Sequence, residues 1–247
     1  MHHFIRTACA GALIVAGLAA HAGTVTFANS FAHGNGNTVD VTSPGFYGSA
    51  GGFTVTLSGF TGANALSGAF ESYCVDLYDS ISLGGSYTNY SIVKAASFFS
   101  SAKLAALTNL VAFTNNSDLF ANASHGYKDD QSTALQLAIW NIVYDNDTTL
   151  THSPGAAFSE LPGRASTNFR TTMASNFMGA NDLLGATAAR GGPAYELFVL
   201  QSVSSDGKVG RQDQLIWTRS AVPEPTSLAL VALALGSAGF VSRRRKV

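Results

Sequence analysis

The chain has 247 residues, 46% of them hydrophobic, with 14 Lys and Arg against 15 Asp and Glu for a formal net charge of −1. Length and apolar content are enough to bury a core, which excludes a disordered chain. Residues 23–221 carry nine basic against fourteen acidic side chains, a net −5 with no basic cluster, and this disfavours a nucleic-acid partner.

Residues 1–22 read as a secretory signal peptide. His2, His3 and Arg6 precede an apolar run over residues 8–20, and Ala20-His21-Ala22 is a small-x-small cleavage site. Residues 23–221 then form one domain. Short runs rich in β-branched and aromatic residues at 24–27, 38–41, 53–57, 73–77 and 87–93 predict strands, with Gly-, Asn- and Ser-rich turns between them. From about Ser100 the period lengthens. Residues 102–114 predict a helix with Leu104, Leu107, Leu110 and Val111 inward, residues 131–145 a central helix, and 164–176 a weaker third. Residues 115–126 and 145–155 are expected loops. Residues 196–201 and 214–218 predict a hairpin about a turn at 204–207. Strands, a helical insertion and further strands give an α+β fold: a β-sandwich or barrel-like sheet whose insertion carries the central helix.

In the central helix, Leu135, Ala138, Ile139 and Ile142 fall on one face, and Asp129, Asp130, Ser132 and Thr133 are placed to cap the N-terminus. Gln136 starts a neighbouring row with Trp140, Val143 and Tyr144. A buried amide there must find partners or be chemically consumed. The cysteine count adds to this. Cys9 leaves with the signal peptide, so Cys74 stands alone in an oxidising compartment, where a thiol is either buried and inert or already engaged.

Tyr73-Cys74-Val75-Asp76 followed by Leu135-Gln136-Leu137-Ala138-Ile139-Trp140 resembles the bacterial thioester domains of surface adhesins. The resemblance implies an internal thioester between Cys74 and Gln136 that captures an amine or hydroxyl on a neighbouring cell, matrix polymer or surface. A single-use reaction of that kind is not enzymatic, and it implies no cofactor and no metal. Water competes for such a bond, so it needs shielding. Tyr73, Trp140 and Tyr144 are the candidate shields by adjacency and helical spacing; Asp76 and Asp79 are expected to face solvent.

The C-terminal end has three parts in order. Pro223-Glu224-Pro225 precedes an apolar stretch at 228–241, and Arg243, Arg244, Arg245 and Lys246 close it. The apolar stretch is shorter than the ~20 residues of a full span, but with its flanks it can insert as a single helix, held by the basic stop. Residues 222–247 resemble the PEP-CTERM sorting signal of Gram-negative bacteria. That implies an exosortase-type membrane protease as partner, transient anchoring in the inner membrane, and a final place at the cell surface or in the extracellular matrix.

Three rivals stand beside this reading. A cysteine hydrolase would use Cys74 with His125 or His152 as base and Asp76 or Asn141 as orienter, but no hydrolase signature surrounds the cysteine. Asp129-Asp130 and Asp145-Asn146-Asp147 are oxygen-rich, yet the latter lacks the Gly and closing Glu of an EF-hand loop. The third is a non-covalent exopolysaccharide or biofilm-matrix module, with Tyr47, Tyr87, Tyr90 and Tyr127 as candidate sugar platforms.

Overall fold

Along Gly23–Phe31 (β1) threonines alternate with apolar residues, so Val25 and Phe27 turn inward while Thr26 stays exposed. A computed structural model describes residues 22–41, 46–77, 79–116, 120, 125–144, 169–171, 174–187, 195–202 and 211–220. The signal peptide apart from Ala22, and the tail at 222–247, lie outside the described residues. After β1 come β2 (Asn37–Val41), β3 (Phe46–Ala50), β4 (Phe53–Ser58), β5 (Gly68–Cys74) and β6 (Ser86–Lys94). The helices α1 (Ala95–Phe98), α2 (Ser101–Asn116) and α3 (His125–Tyr144) follow. β7 (Phe169–Thr171), α4 (Ala174–Thr187), β8 (Tyr195–Ser202) and β9 (Gln214–Arg219) complete the series.

Six strands close into an antiparallel barrel in the order β1-β4-β5-β9-β8-β6. Closure leaves this sheet no free edge. Of the α+β alternatives, the barrel-like sheet is therefore the one found, with the helices entering between β6 and β8. Phe27 meets Phe53 edge-on at 5.8 Å, and Phe31 stacks on Phe53 at 5.0 Å, near the end of the barrel where the site lies. A second sheet of order β3-β2-β7 stands beside α3.

The structure revises several sequence expectations. The strand predicted at 73–77 ends at Cys74, because the Asp76 carboxylate accepts the N–H groups of Asp79 (3.1 Å) and Asp213 (3.2 Å) and turns the chain. β3 was not anticipated. Its Gly- and Ser-containing sequence has little strand propensity, and pairing with β2 holds it. No helix covers residues 169–171 of the predicted 164–176 helix; they form β7, whose residues pair with Val39, Asp40 and Val41, and α4 starts later, at Ala174.

The start of α3 also moves. It begins at His125, which places Asp129, Asp130, Ser132 and Thr133 inside the helix. Their side chains reach tertiary partners instead of capping. Asp129 accepts from Asn35 N at 2.7 Å and Asp130 from Asn37 Nδ2 at 2.7 Å. Thr133 Oγ1 accepts from Asn37 N at 2.9 Å and donates to Ala50 O at 2.8 Å, while Ser132 Oγ accepts from Gly52 N at 2.8 Å. α3 is thus clamped to the β1–β2 and β3–β4 connections. Gly52 has no room for a side chain, since a Cβ there would lie 2.6 Å from Tyr73 Cζ.

From Ser132 to Ile142 every residue of α3 is buried, so the expected single apolar face is replaced by burial all round. The cause is packing: α4, α2, β5 and the β2–β3 pair all contact this helix. Among the described residues no helix is long and apolar enough to cross a membrane.

Candidate functional site

The strands β5 and β9 meet over only two residue pairs, Tyr73 with Leu215 and Cys74 with Gln214, the shortest seam of the barrel. Cys74 is the last residue of β5, and α3 lies against that strand end. With the strand finished, its backbone needs partners from outside the ladder.

Gln136 supplies them. Its side chain is 0% exposed, and its Oε1 accepts from Cys74 N at 2.9 Å while its Nε2 donates to Cys74 O at 2.8 Å. The two contacts fix the amide's orientation, since the N–H must meet the oxygen and the carbonyl must meet the nitrogen. Cys74 is 3% exposed. Its Sγ accepts from Gln214 Nε2 at 3.3 Å. Burial pushes the Cys74 thiol well above its ordinary range, although the Gln214 contact pulls the other way.

A cavity of about 110 Å³ adjoins the pair. Cys74, Gln136 and Gln212 form its polar floor, and Phe31, Phe53 and Trp140 are among its apolar walls. The exposed lining residues Ser49, Ser80 and Leu83 mark its solvent side. The arrangement sets the Gln136 amide on the Cys74 backbone and the Gln214 amide on its sulfur, all buried, beside a small cavity whose solvent side those exposed residues mark.

Of the three candidate shields, Trp140 lines this cavity. Tyr73 is fully buried but engaged elsewhere: its hydroxyl donates to Glu71 Oε1 at 2.8 Å and its ring stacks on Trp217 at 6.0 Å. Tyr144 OH accepts from Leu77 N at 2.9 Å and so holds the chain just beyond the cysteine. Asp76 and Asp79 were expected in solvent; both are half-buried, and Asp76 braces the turn described above.

Among the rival residues, Tyr90 is wholly buried with its hydroxyl on Gln212 O at 2.9 Å, so its ring is closed to sugars. Tyr87 is half-buried with Arg211 over its ring at 4.9 Å, and Tyr47 is 78% exposed. The side chains of His125 and Tyr127, and residues 145–147 and 152, lie outside the described residues. Among the described residues no three His, Cys, Asp or Glu side chains group to hold a metal.

Sequence reasoning missed Gln212 and Gln214. Gln214 opens β9 and Gln212 stands just before it, and the apolar pattern of that strand says nothing of a cysteine far away in the chain. It also missed Asp213, whose carboxyl is pushed up to about 6, chiefly by burial; its bond from Ser202 N at 2.8 Å lowers it, and the charges of Asp76 and Asp79 raise it. A raised carboxyl makes the folded chain hold that proton more tightly than the unfolded one. The resulting stabilisation is complete below the ordinary carboxylate range and is lost as pH rises through about 6. Asp213→Asn keeps an acceptor for Ser202 N and removes the titration. Its unfolding free energy is expected to gain on the wild type between pH 4 and pH 7.5, by about 1 kcal/mol once solvent screening at this partly exposed group is counted. Parallel pH profiles for the two chains would refute this.

Residues 221–246 match the family model of the PEP-CTERM protein-sorting motif. The motif implies exosortase-dependent export to the cell surface; exosortase, a membrane enzyme, processes proteins that carry it. No match to a curated protein or to a solved structure was found.

Proposed function

We propose that the exported domain carries an internal thioester between Cys74 and Gln136 and uses it once, for covalent attachment to an amine or hydroxyl on a cell surface or matrix target. The observation that carries the reading is the doubly hydrogen-bonded Gln136 amide, fully buried against Cys74 at the floor of a small cavity. An amide in that position is oriented, dry and next to a nucleophile.

The chemistry balances within the chain. Cys74 Sγ attacks Gln136 Cδ, and negative charge develops on Oε1, which already accepts from the Cys74 N–H at 2.9 Å. The C–N bond then breaks, and Nε2 departs with the thiol proton as ammonia. When a target amine attacks the thioester, an amide forms at Cδ, the C–S bond breaks, and the amine's proton passes to Sγ. The thioester is spent rather than regenerated, so no turnover is expected.

Intact mass of the purified chain before and after methylamine tests this. The expected chain is one ammonia short, and methylamine then adds at Gln136. Since two glutamine amides flank Cys74, tandem mass spectrometry must place the adduct on Gln136; an adduct on Gln214 would reassign the partner. A full mass, a freely titrating Cys74 thiol and no adduct would overturn the covalent reading and leave a non-covalent surface or matrix module.

A further inference from the structure

The barrel strands run alternately up and down, so each end of the barrel gathers a fixed set of chain positions. One end carries the last residues of β1 and β5, Phe31 and Cys74, and the first residues of β4 and β9, Phe53 and Gln214. The cavity opens at this end, where Ser80 and Leu83 of the β5–β6 connection join Phe31, Phe53, Cys74 and Gln212 in its lining. The opposite end carries Gly23, Ser58, Gly68, Tyr195 and Arg219. Register confirms the level, since Thr24 pairs with Ser58 and Tyr195 with Arg219. Arg219 ends β9, and the sorting motif begins at residue 221. The tail therefore leaves from the end away from the cavity, and Gln214 and Arg219 stand roughly 17 Å apart at the usual strand rise.

We propose that, with the tail in the membrane, the Arg219 end of the barrel faces the bilayer and the Cys74 cavity opens away from it. The anchored chain then captures targets in front of it and not the aminolipids of its own membrane. This rests on the thioester reading above and on insertion of the tail. In the capture step the target amine forms an amide at the thioester carbonyl carbon. The C–S electron pair goes to Cys74 Sγ, and the amine's proton follows it.

Tether length carries the argument. Residues 220–227 separate β9 from the apolar stretch at 228–241, and fully extended they reach about 26–29 Å. The apolar stretch falls short of the ~20 residues of a span, and Arg243 closes its far side. Insertion thus draws the residues before 228 to the interface and leaves roughly 10 Å of free tether. That is less than the length of β9. Turning the cavity down to the headgroups needs slack longer than the strand. The Gly59–Ser67 connection, at the bilayer end, carries no charged side chain, so nothing in it repels an anionic surface.

The test uses the full chain, held by its tail in vesicles of phosphatidylethanolamine and phosphatidylglycerol or kept in detergent. Capture of a soluble biotinylated primary amine is expected at the same rate in both, with no phosphatidylethanolamine adduct by intact mass. Headgroup amines within reach would compete at millimolar effective concentration, so an aminolipid adduct, or capture slowed about tenfold on vesicles, would overturn the orientation. A second reading is independent of the chemistry. Ser82→Cys beside the cavity and Ala63→Cys at the other end are both at exposed positions and take a fluorescent label, whereas Cys74 is buried. Headgroup-spin-labelled lipids are expected to quench the label at 63 about twofold more than at 82, a strand length further from the bilayer. Equal quenching, or stronger quenching at 82, sinks the proposal. A chain that captures no amine in detergent removes the thioester reading, and quenching alone then decides the orientation. A chain that does not float with the vesicles overturns insertion and the proposal with it.

Discussion

Gln136→Ala is expected to abolish methylamine capture and to lower the unfolding free energy by about 3–5 kcal/mol. Two buried backbone groups of Cys74 lose their partners, at roughly 1–3 kcal/mol each, and the missing side chain leaves a void in the middle of α3. Cys74→Ala is expected to abolish capture equally but to cost markedly less, since it removes one sulfur contact and leaves the Gln136 amide bonded to the backbone at position 74. Both variants lose any cross-link to the same extent, so the difference between them reads the amide's hydrogen bonds and packing against the one sulfur contact, and not the cross-link. Denaturant unfolding beside intact mass measures both quantities. Equal stabilities would show that the amide does little for the fold, and capture by Gln136→Ala would remove it from the chemistry.

Trp140→Ala carries the second large effect. The indole is 1% exposed and lines the cavity from α3. Truncating it is expected to cost about 3–5 kcal/mol, the usual range for a buried aromatic. It also widens the way in for water, so a larger fraction of the chain should carry Glu at position 136 by mass after a fixed incubation, at the expense of the methylamine-reactive fraction. Trp140→Phe should keep most of the shielding at a smaller loss of stability. An unchanged hydrolysed fraction in Trp140→Ala would assign the shielding to the other walls, Phe31, Phe53 and the loop residues Ile81 and Leu83.

Much of the barrel was readable because its signals are short-range. Thr24-Val25-Thr26-Phe27 and Phe53-Thr54-Val55-Thr56-Leu57 alternate in a way that serves a strand with one buried face, and both are strands. The elements that were missed had no such pattern. Phe46-Tyr47-Gly48-Ser49-Ala50 is a strand because β2 offers it a ladder, and Phe169-Arg170-Thr171 because β2 has another side to fill. At α3 the acids and hydroxyls that resemble caps are latches to β-connections, since a side-chain oxygen satisfies a distant N–H as readily as a helix N–H. The candidate site divides in the same manner. Cys74 and Gln136 stood out by motif and by cysteine count, but Gln212, Gln214 and the aromatic walls did not, because nothing local to them marks the cavity they share.

By itself, then, the sequence determined what adjacent residues decide: the alternation of the strands and the three-part order of the sorting tail. Tertiary structure alone decided that α3 is enclosed on every side, that β5 stops at Cys74, and that two glutamines and not one attend it. The physical reason is separation along the chain. Gln136 lies 62 residues from Cys74 and Gln214 lies 140, and contacts over such spans are set by barrel closure and helix packing, which no local pattern records.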